Sequence, residues 1–394
     1  MAERNVVLGV TGSIAAYKAV DLASKLTQAG VAVHAVMTES ATQLVGPASF
    51  RAITGLPVSS DLFELSNPFA IEHVSLADSA DLLLIAPATA NVIAKLATGI
   101  ADDLLTCTAL ATRAPILVAP AMHTAMWESP VTQANVETLR ARGVSFVGPV
   151  EGRLASGGFG AGRFSPVSEI AGEALRILGQ AGDLVNVRVV VTAGGTREPL
   201  DPVRFLGNRS SGKMGFALAE AARDRGADVR LIAGPTQLPV PVGVQTSRVE
   251  TAAEMLDAVR QACGAADVLI MAAAVADYAP ADAASTKLKK SAESLTVNLV
   301  RTEDILEAVD GPAVRIGFAA ETEDLVENAR RKLVSKRLGL IVANRVAGPD
   351  TPFGSDENEA VLIESGGDEA LPRMAKRELA DRILDRILPL LARS

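Results

Sequence analysis

The chain has 394 residues, 48% of them hydrophobic and 21% charged, and a formal net charge of −8 at pH 7. This length favours two domains, and no stretch reaches the roughly 18 to 20 uninterrupted apolar residues of a membrane span. The negative charge opposes nonspecific binding to nucleic acid, which depends on neutralising phosphates. Cys107 and Cys263 lie far apart, which excludes a disulfide framework or a CxxC metal site. The N-terminus lacks a secretory signal, so we expect a cytoplasmic protein with no membrane or nucleic-acid partner.

The first half predicts strands that alternate with helices. The stretch NVVLGV is an apolar strand that enters a glycine turn, an amphipathic helix and a second strand, VAVHAVM, which makes a βαβ unit. Further strands are predicted at DLLLIAP and APILVAP. Helices are predicted at TANVIAKLATG, DDLLTCTALATR, VTQANVETLRARG and VSEIAGEALRILG.

A second unit of the same plan begins after the glycine-containing segment 179–183. It opens with VRVVVTAGG and has a long loop inserted before its first helix. Strands then follow at DVRLIAG, DVLIMAAAV, VRIGFAA and LGLIVANRV, with helices between them, and the tail EAVLIESGG to LLA predicts a hairpin or strand followed by a covering helix. We therefore predict domains at residues 1–183 and 184–394. Both are α/β folds with open, mainly parallel, doubly wound (Rossmann-like) sheets.

Glycine turns at the carboxyl ends of such strands expose backbone N–H groups to phosphate, and Gly9, Gly12 and Ser13 suit that role. However, GVTGSIAA lacks the GxGxxG register, and no acidic residue ends the second strand to bind a ribose. An NAD-dependent oxidoreductase is therefore the weaker alternative. Thr89 and Asn91 supply small polar groups at another strand-to-helix turn, suited to a flavin.

Four motifs of the first half carry a family resemblance: GVTGSIAAYK, IEHVSLA with His73, APATANVIAKLATGIADDLL, and PAMHTAMW. Their order resembles that of the flavin-dependent decarboxylases of peptidyl-cysteine and phosphopantothenoylcysteine, over most of residues 5–178. In the second half TAGGTREPLDPVRFLGNRSSGKMG, AAAVADY, KLKK, GFAAET and IVAN resemble phosphopantothenate-cysteine ligase. Together they are similar to the bifunctional coenzyme A biosynthesis proteins of bacteria, which implies a flavoprotein decarboxylase fold in the first domain.

The resemblance implies that the first domain binds FMN, oxidises the cysteine thiol of 4'-phosphopantothenoylcysteine, releases CO2 and forms 4'-phosphopantetheine. His73 matches the catalytic histidine, and an imidazole with a pKa of about 6.5 can move a proton at neutral pH. PAMHTAMW matches a substrate clamp in which His123 stands where relatives usually carry asparagine. The expected FMN contacts are Gly12, Ser13, Ile14, Ser40, Pro87, Ala88, Thr89, Asn91 and Met122.

The motif GRLASGGFGAGR resembles a second loop of the family, in which a cysteine donates a proton during the reductive step. Ser156 stands in its place, and an alcohol is far less acidic than a thiol of pKa about 8.5. This departure leaves open an oxidative cysteine decarboxylase that lacks the reductive step. We expect instead that another group, or a water held by Ser156, delivers the proton.

In the second half the resemblance implies CTP-dependent ligation of 4'-phosphopantothenate with cysteine through an acyl-cytidylate, with Mg2+ or Mn2+ accompanying CTP. Asn208 matches the residue that holds the intermediate, and Lys287 in KLKK matches the catalytic lysine on a predicted mobile flap. Asp277 is the expected metal contact. The expected CTP contacts are Ala273, Asp277, Lys287, Phe318, Lys332 and Lys336.

Relatives of the decarboxylase fold also include flavin-binding regulatory subunits of phosphatases, which remain an alternative of another class. Those proteins carry long acidic tails, and this sequence has none. The family resemblance further implies a homo-oligomer, a dodecamer of decarboxylase trimers joined by ligase dimers.

Overall fold

The computed structural model describes residues 4–62, 71–289, 295–321, 324–345 and 354–392. Lys290 of KLKK and Thr322 of GFAAET lie outside the described residues. Contacts divide the chain into two compact units, Met1–Leu178 and Gly179–Ser394, so the division falls a few residues before the predicted cut. No helix among the described residues is long and apolar enough to cross a membrane.

The first unit is built on a five-stranded parallel sheet with the order β2-β1-β3-β4-β5. The strands of the sheet are β1 (Arg4–Val10), β2 (Val31–Met37), β3 (Leu82–Ala88), β4 (Ile116–Pro120) and β5 (Ser145–Phe146). A separate antiparallel hairpin consists of β6 (Val150–Arg153) and β7 (Phe159–Arg163). The helices of the unit are α1 (Lys18–Gln28), α2 (Glu39–Thr42), α3 (Pro47–Thr54), α4 (Glu72–Ser79), α5 (Ala90–Thr98), α6 (Leu104–Ala111), α7 (Thr124–Trp127), α8 (Pro130–Ala141) and α9 (Val167–Gly179), and a 3-10 turn (Ile14–Tyr17) precedes α1.

Helices cover both faces of this sheet. Every residue of β3 is buried, as expected for a central parallel strand whose apolar side chains pack on both sides. Leu22 and Phe50 pack against one face, while Ile93 and Leu105 pack against the other. The strand order reverses between β1 and β3, and at such a switch point the loops diverge and leave a crevice.

The second unit has an eight-stranded sheet with the order β12-β11-β8-β13-β16-β17-β18-β19, which is parallel from β12 to β17 and antiparallel beyond. Its strands are β8 (Arg188–Ala193), β9 (Arg197–Pro199), β10 (Phe205–Gly207), β11 (Asp228–Ala233), β12 (Gln245–Arg248), β13 (Val268–Met271), β14 (Tyr278–Pro280), β15 (Leu299–Arg301), β16 (Val314–Glu321), β17 (Leu340–Arg345), β18 (Glu357–Glu364) and β19 (Gly367–Ala375). Its helices are α10 (Lys213–Asp224), α11 (Ala252–Cys263), α12 (Ile305–Ala308), α13 (Leu325–Ser335), α14 (Lys376–Leu384) and α15 (Ile387–Leu391).

The predicted class of two α/β folds with mainly parallel sheets is confirmed. The predicted tail is an antiparallel hairpin of β18 and β19 followed by α14 and α15. The small antiparallel pairs β6–β7, β9–β10 and β14–β15 were absent from the prediction. The segment PAMHTAMW contains one helical turn, α7, which His123 caps.

Candidate active sites

The first unit has a cavity of about 650 Å³ at the carboxyl ends of β1, β3 and β4, beside the β6–β7 hairpin. This volume lies within the range of about 300 to 1,000 Å³ usual for small-molecule and cofactor sites. The lining residues are Gly12, Ser13, Ile14, Ala15, Tyr17, Lys18, Thr89, Ala121, Met122, His123, Met126, Arg153, Leu154, Ala155, Ser156, Gly162, Arg163 and Phe164.

Buried hydroxyl groups tie together the loops on either side of the switch point. The Thr11 hydroxyl donates to the Pro87 carbonyl at 2.7 Å and accepts from the Thr89 N–H at 3.0 Å. The Ser13 hydroxyl donates to the Ala121 carbonyl at 3.1 Å. The loops that follow β1, β3 and β4 therefore hold one another in place around the cavity.

Gly12 allows the first turn to approach the segment that follows β2. A Cβ at this position would lie 2.4 Å from the Ser40 Cβ, closer than real contacts allow. The predicted flavin contacts Ser40, Pro87 and Ala88 thus lie next to the cavity and support its wall, although none of them is in the lining.

The segment PAMHTAMW packs against strand β7. The Met122 N–H donates to the Gly162 carbonyl at 2.9 Å, and Gly162 has a φ of +126°. A Cβ on Gly162 would lie 2.4 Å from the Met122 carbonyl oxygen. The His123 Nδ1 accepts from the Ala125 N–H at 3.2 Å, so a neutral His123 carries its proton on Nε2. The hairpin that carries Ser156 and the segment that carries His123 therefore form one packed wall.

The cavity brings together many of the residues predicted for the first site. They are Gly12, Ser13, Ile14, Thr89, Met122, His123 and Ser156. His73 lies outside this lining, half-buried on the first turn of α4, where the preceding Glu72 accepts a hydrogen bond from Ser59. Asn91 is exposed on α5 and also lies outside it.

The sequence predictions missed the cations of this cavity. Arg153 and Arg163 face it from the two strands of the hairpin, and Lys18 faces it from the start of α1. The signal in the sequence was the pair of GR dipeptides that flank the turn of GRLASGGFGAGR.

The second unit has a cavity of about 260 Å³ between the end of β13, segment 301–306, β16 and α13. Five predicted nucleotide contacts line it, and they come from three separate motifs. They are Ala273, Asp277, Phe318, Lys332 and Lys336.

Two buried threonines, missed from the sequence, shape the AAAVADY segment. The Thr192 hydroxyl accepts from the Ala273 N–H at 3.1 Å, and the Thr196 hydroxyl accepts from the Ala276 N–H at 3.0 Å. Both side chains are buried. The backbone groups that face the cavity are thereby held at fixed positions.

Asp304 is a further residue that the sequence predictions missed. It caps α12, accepting from the N–H groups of Leu306 at 3.0 Å and Glu307 at 3.3 Å, and its other oxygen pairs with Lys336. An aspartate directly before the apolar residues of EDILEA is a typical N-cap signal.

Asn208 and Lys287 lie outside the lining of the 260 Å³ cavity. The Asn208 side-chain amide donates to the Val275 carbonyl at 2.9 Å, which places it beside the AAAVADY segment. Lys287 is exposed. Segment SSGKMG lines a further cavity of about 880 Å³ at the ends of β8, β11 and β12, where Ser210, Lys213 and Arg248 are lining residues.

No group of three or more histidine, cysteine or acidic side chains suited to a metal occurs among the described residues. A metal ion at Asp277 would therefore need ligands from a bound nucleotide. Cys107 and Cys263 are free thiols, and burial raises the pKa of Cys263 to about 11.

Comparison with known proteins assigns both units. The Flavoprotein family matches residues 1–178, and the DNA/pantothenate metabolism flavoprotein C-terminal domain matches residues 184–390. The coenzyme A biosynthesis bifunctional protein CoaBC of Mycobacterium tuberculosis is 46% identical over 99% of this chain and 97% of that protein. Its namesake from Bacillus subtilis is 45% identical over 98% and 97%. A crystal structure of the C-terminal domain of CoaBC, 41% identical, covers 54% of this chain and 98% of its own, with a TM-score of 0.46.

The chain belongs to the CoaBC family of bifunctional coenzyme A biosynthesis proteins. The predicted identification is thereby confirmed, and so is the prediction of a two-activity enzyme with a flavoprotein decarboxylase domain and a ligase domain. The first matched range equals the first compact unit, and the second range lies within the second unit, Gly179–Ser394.

The contact between Gly162 and Met122 gives a test of the first cavity. Gly162→Ala should displace the segment that carries Met122 and His123, at a cost of about 1 to 3 kcal/mol for a forced contact. We expect this variant to be purified with less bound flavin, measured as the ratio of flavin to protein absorbance.

Gly157→Ala is the matched control. It lies in the same hairpin at a φ of +86°, yet its Cβ would meet nothing within 4 Å. Equal flavin content in the two variants would show that the approach of β7 to Met122 has no part in flavin binding.

Proposed function

We propose that the second unit joins 4'-phosphopantothenate to cysteine with CTP, through an acyl-cytidylate, and that the first unit decarboxylates the product to 4'-phosphopantetheine with FMN. The observation that carries the ligase part is the convergence of Ala273, Asp277, Phe318, Lys332 and Lys336 on one cavity. Three motifs distant in sequence supply these residues, as expected for a nucleotide site of this family.

In the ligase unit the cavity offers the nucleotide an apolar face at Phe318 and backbone groups of segment 273–277. Asn208, beside Val275, is placed to hold the acyl-nucleotide. The turn before α10 presents N–H groups to phosphate, because the first amides of a helix have no partner within it. Asp277 would bind Mg2+ together with the nucleotide phosphates, and Lys287 would offset the charge that develops on the departing pyrophosphate.

The role of Lys287 can be tested in the full chain. Lys287→Gln should lower pyrophosphate release by roughly 10²- to 10³-fold, the usual cost of removing one electrostatic donor at a developing charge. CO2 release from supplied 4'-phosphopantothenoylcysteine should be unchanged. The assay contains phosphopantothenate, cysteine, CTP and magnesium, and it measures pyrophosphate and CO2 separately.

Lys289→Gln is the control, since Lys289 is also exposed and lies two residues away. We expect it to leave pyrophosphate release near the level of the unmodified chain. An equal loss of both activities in Lys287→Gln would indicate general damage, and a preference for ATP would contradict the assignment of CTP.

The cavity of the first unit suits FMN. Its glycine turn carries N–H groups and the Ser13 hydroxyl, and Ile14, Met122, Leu154 and Phe164 provide apolar surface for a flat ring system. FMN would accept electrons from the substrate thiol and later return them. Arg153 and Arg163 are placed to hold an anionic part of the substrate. Among these lining groups His123 is the imidazole, a side chain that can donate or accept a proton at its ring nitrogens.

The serine at position 156, where the family has a cysteine, raises the question of which product the first unit releases. We expect 4'-phosphopantetheine from the unmodified chain under anaerobic conditions, because the saturated thiol is what coenzyme A requires. Ser156→Ala should slow this step without abolishing it. Mass spectrometry of the product decides, since a main product lacking two hydrogen atoms would identify an oxidative decarboxylase instead.

The position of His73 supports an oligomer. His73 lies outside the cavity of its own chain, while Ile14 and Tyr17 at the cavity are 67% and 62% exposed. A second copy could cover these apolar side chains and bring its His73 to the same substrate. We therefore propose a homo-oligomer in which cavities are shared, consistent with the dodecamer expected from the resemblance.

A mixing experiment tests shared cavities. His73→Asn and His123→Ala should each lose CO2 release, the first with its flavin still bound. Co-expressed as mixed oligomers, the two variants should regain activity, because some cavities then combine an intact His123 with an intact His73 from another copy. Activity no greater than that of the separate variants would show that each chain uses its own His73.

A further inference from the structure

We propose that Asp201, a buried carboxylate in the turn before β10, positions the segment that carries Lys287 for the ligase reaction. This inference rests on the proposed role of Lys287. Its basis is the set of hydrogen bonds that join the turn 200–204 to segment 284–288.

The two oxygens of Asp201 have different partners. Oδ1 accepts from the backbone N–H groups of Val203 and Arg204, each at 2.8 Å, and so closes the local turn. Oδ2 accepts from the Arg204 Nε at 3.0 Å and from the backbone N–H of Leu288 at 3.1 Å. The Arg204 Nη2 also lies 2.8 Å from Oδ2, and the carboxylate side chain is 0% exposed, so protein donors surround both of its oxygens.

Arg204 completes the anchor. Its Nη2 donates to the Leu288 carbonyl at 2.5 Å, so the N–H and the C=O of Leu288 are both bound by one ion pair. A second link joins the Ala284 N–H to the Leu200 carbonyl at 3.0 Å. Lys287 directly precedes the anchored residue, and its side chain is exposed.

Burial acts to raise the pKa of Asp201. The N–H groups of Val203, Leu288 and Arg204 and the charge of Arg204 outweigh that effect, so the pKa lies below its ordinary value. The group is therefore an anion at neutral pH. Hydrogen bonds to a charged acceptor are among the stronger ones in proteins, so the anchor can hold an otherwise exposed segment.

Position matters here because an ammonium group stabilises a departing pyrophosphate only at close range. A displacement of about 1 Å can cost roughly 10²-fold in rate. Asp201 acts through Lys287 and contacts no reacting atom, so its loss should lower turnover more than nucleotide affinity.

Asp201→Asn removes this anchor selectively. The remaining side-chain oxygen can still accept from the N–H groups of Val203 and Arg204. The new NH2 group then faces the Leu288 N–H and the Arg204 Nε, which are donors and cannot bond to it. The local turn should persist, while Leu288 loses the hydrogen bond from its N–H to Asp201 and Arg204 loses the ion pair that orients it toward the Leu288 carbonyl.

Asp267→Asn is a matched control. Asp267 likewise accepts from a backbone N–H and a guanidinium, those of Arg188, at 2.8, 3.0 and 3.2 Å. That pair lies at the amino end of β8, away from segment 284–288. Any effect shared by both variants would reflect the loss of a carboxylate in general.

Two measurements on the full chain test the proposal. In the ligase assay, Asp201→Asn should lower kcat by about 10- to 100-fold, with KM for CTP nearly unchanged. Trypsin cleavage between Lys287 and Leu288 without substrates, followed by mass spectrometry, should be about tenfold faster, as expected for one lost charged hydrogen bond. Asp267→Asn should change neither quantity, and CO2 release from supplied substrate should be normal in both variants.

Unchanged cleavage at Lys287 in Asp201→Asn would overturn the proposal, and so would equally increased cleavage throughout the unit. Faster cleavage with normal kcat would overturn the positioning role. In that case the activity of Lys287→Gln identifies the cause. A fully active Lys287→Gln would show that the proposed function of Lys287 is wrong. An inactive Lys287→Gln would show that Lys287 is needed but that its anchoring by Asp201 is not.

Discussion

The contact of backbone with backbone at the carboxyl ends of the strands determines the shape of these sites. A Cβ on Gly195 would lie 2.7 Å from the Asn208 carbonyl oxygen, and one on Gly234 would lie 2.5 Å from the Gly195 carbonyl oxygen. Side chains cannot fit at such contacts, so the loops lie nearer to one another than ordinary residues permit. The positions of Asn208 and of segment 273–277 follow from this packing.

The two units use the same device at their switch points. In the first unit, Thr11 follows β1 and bonds to Pro87 near the end of β3 and to Thr89 just after it. In the second, Thr192 and Thr196, at the end of β8 and just beyond it, bond to the loop that follows β13. A buried threonine can satisfy backbone groups of a neighbouring strand where the sheet no longer does so, and a buried unpaired amide is costly. Each crevice is therefore a rigid feature of its sheet.

The parts predictable from sequence were those governed by periodicity. Strands such as β3 and β13 are short apolar runs, and the helices that alternate with such strands have amphipathic repeats. The succession of elements along the chain and the parallel class of the sheets therefore followed directly. The hairpins β9–β10 and β14–β15 lack that signal, because their burial pattern is largely exposed. The β14–β15 pair also joins segments that lie far apart in sequence, Tyr278–Pro280 and Leu299–Arg301, which no local pattern encodes.

The same distinction applies to site residues. Motif resemblance grouped residues such as Phe318 and Lys336, which line one cavity in the structure, but it gave no information on which side chains pair with each other. Asp304 was missed although it neutralises Lys336, and Asp201 was missed although it anchors Leu288. Both are aspartates in turns, where aspartate is common because its side chain bonds to the nearby backbone. Only the fold therefore reveals their distant partners.

These pairings separate two tasks in the ligase unit. Three cations, Arg301, Lys332 and Lys336, and three acidic residues, Asp277, Glu303 and Asp304, line the small cavity, so their formal charges sum to zero. Such a cavity suits a nucleotide base better than an unaccompanied triphosphate, and the metal ion proposed at Asp277 would accompany the phosphates. Further positive charge that can meet phosphates lies outside it, on Lys287 and beside the turn before α10. Under the proposed function, base recognition thus depends on a cavity built into the sheet. Under the same proposal, charge compensation depends on segments held by individual hydrogen bonds, so the loss of one such bond is expected to lower turnover more than nucleotide binding.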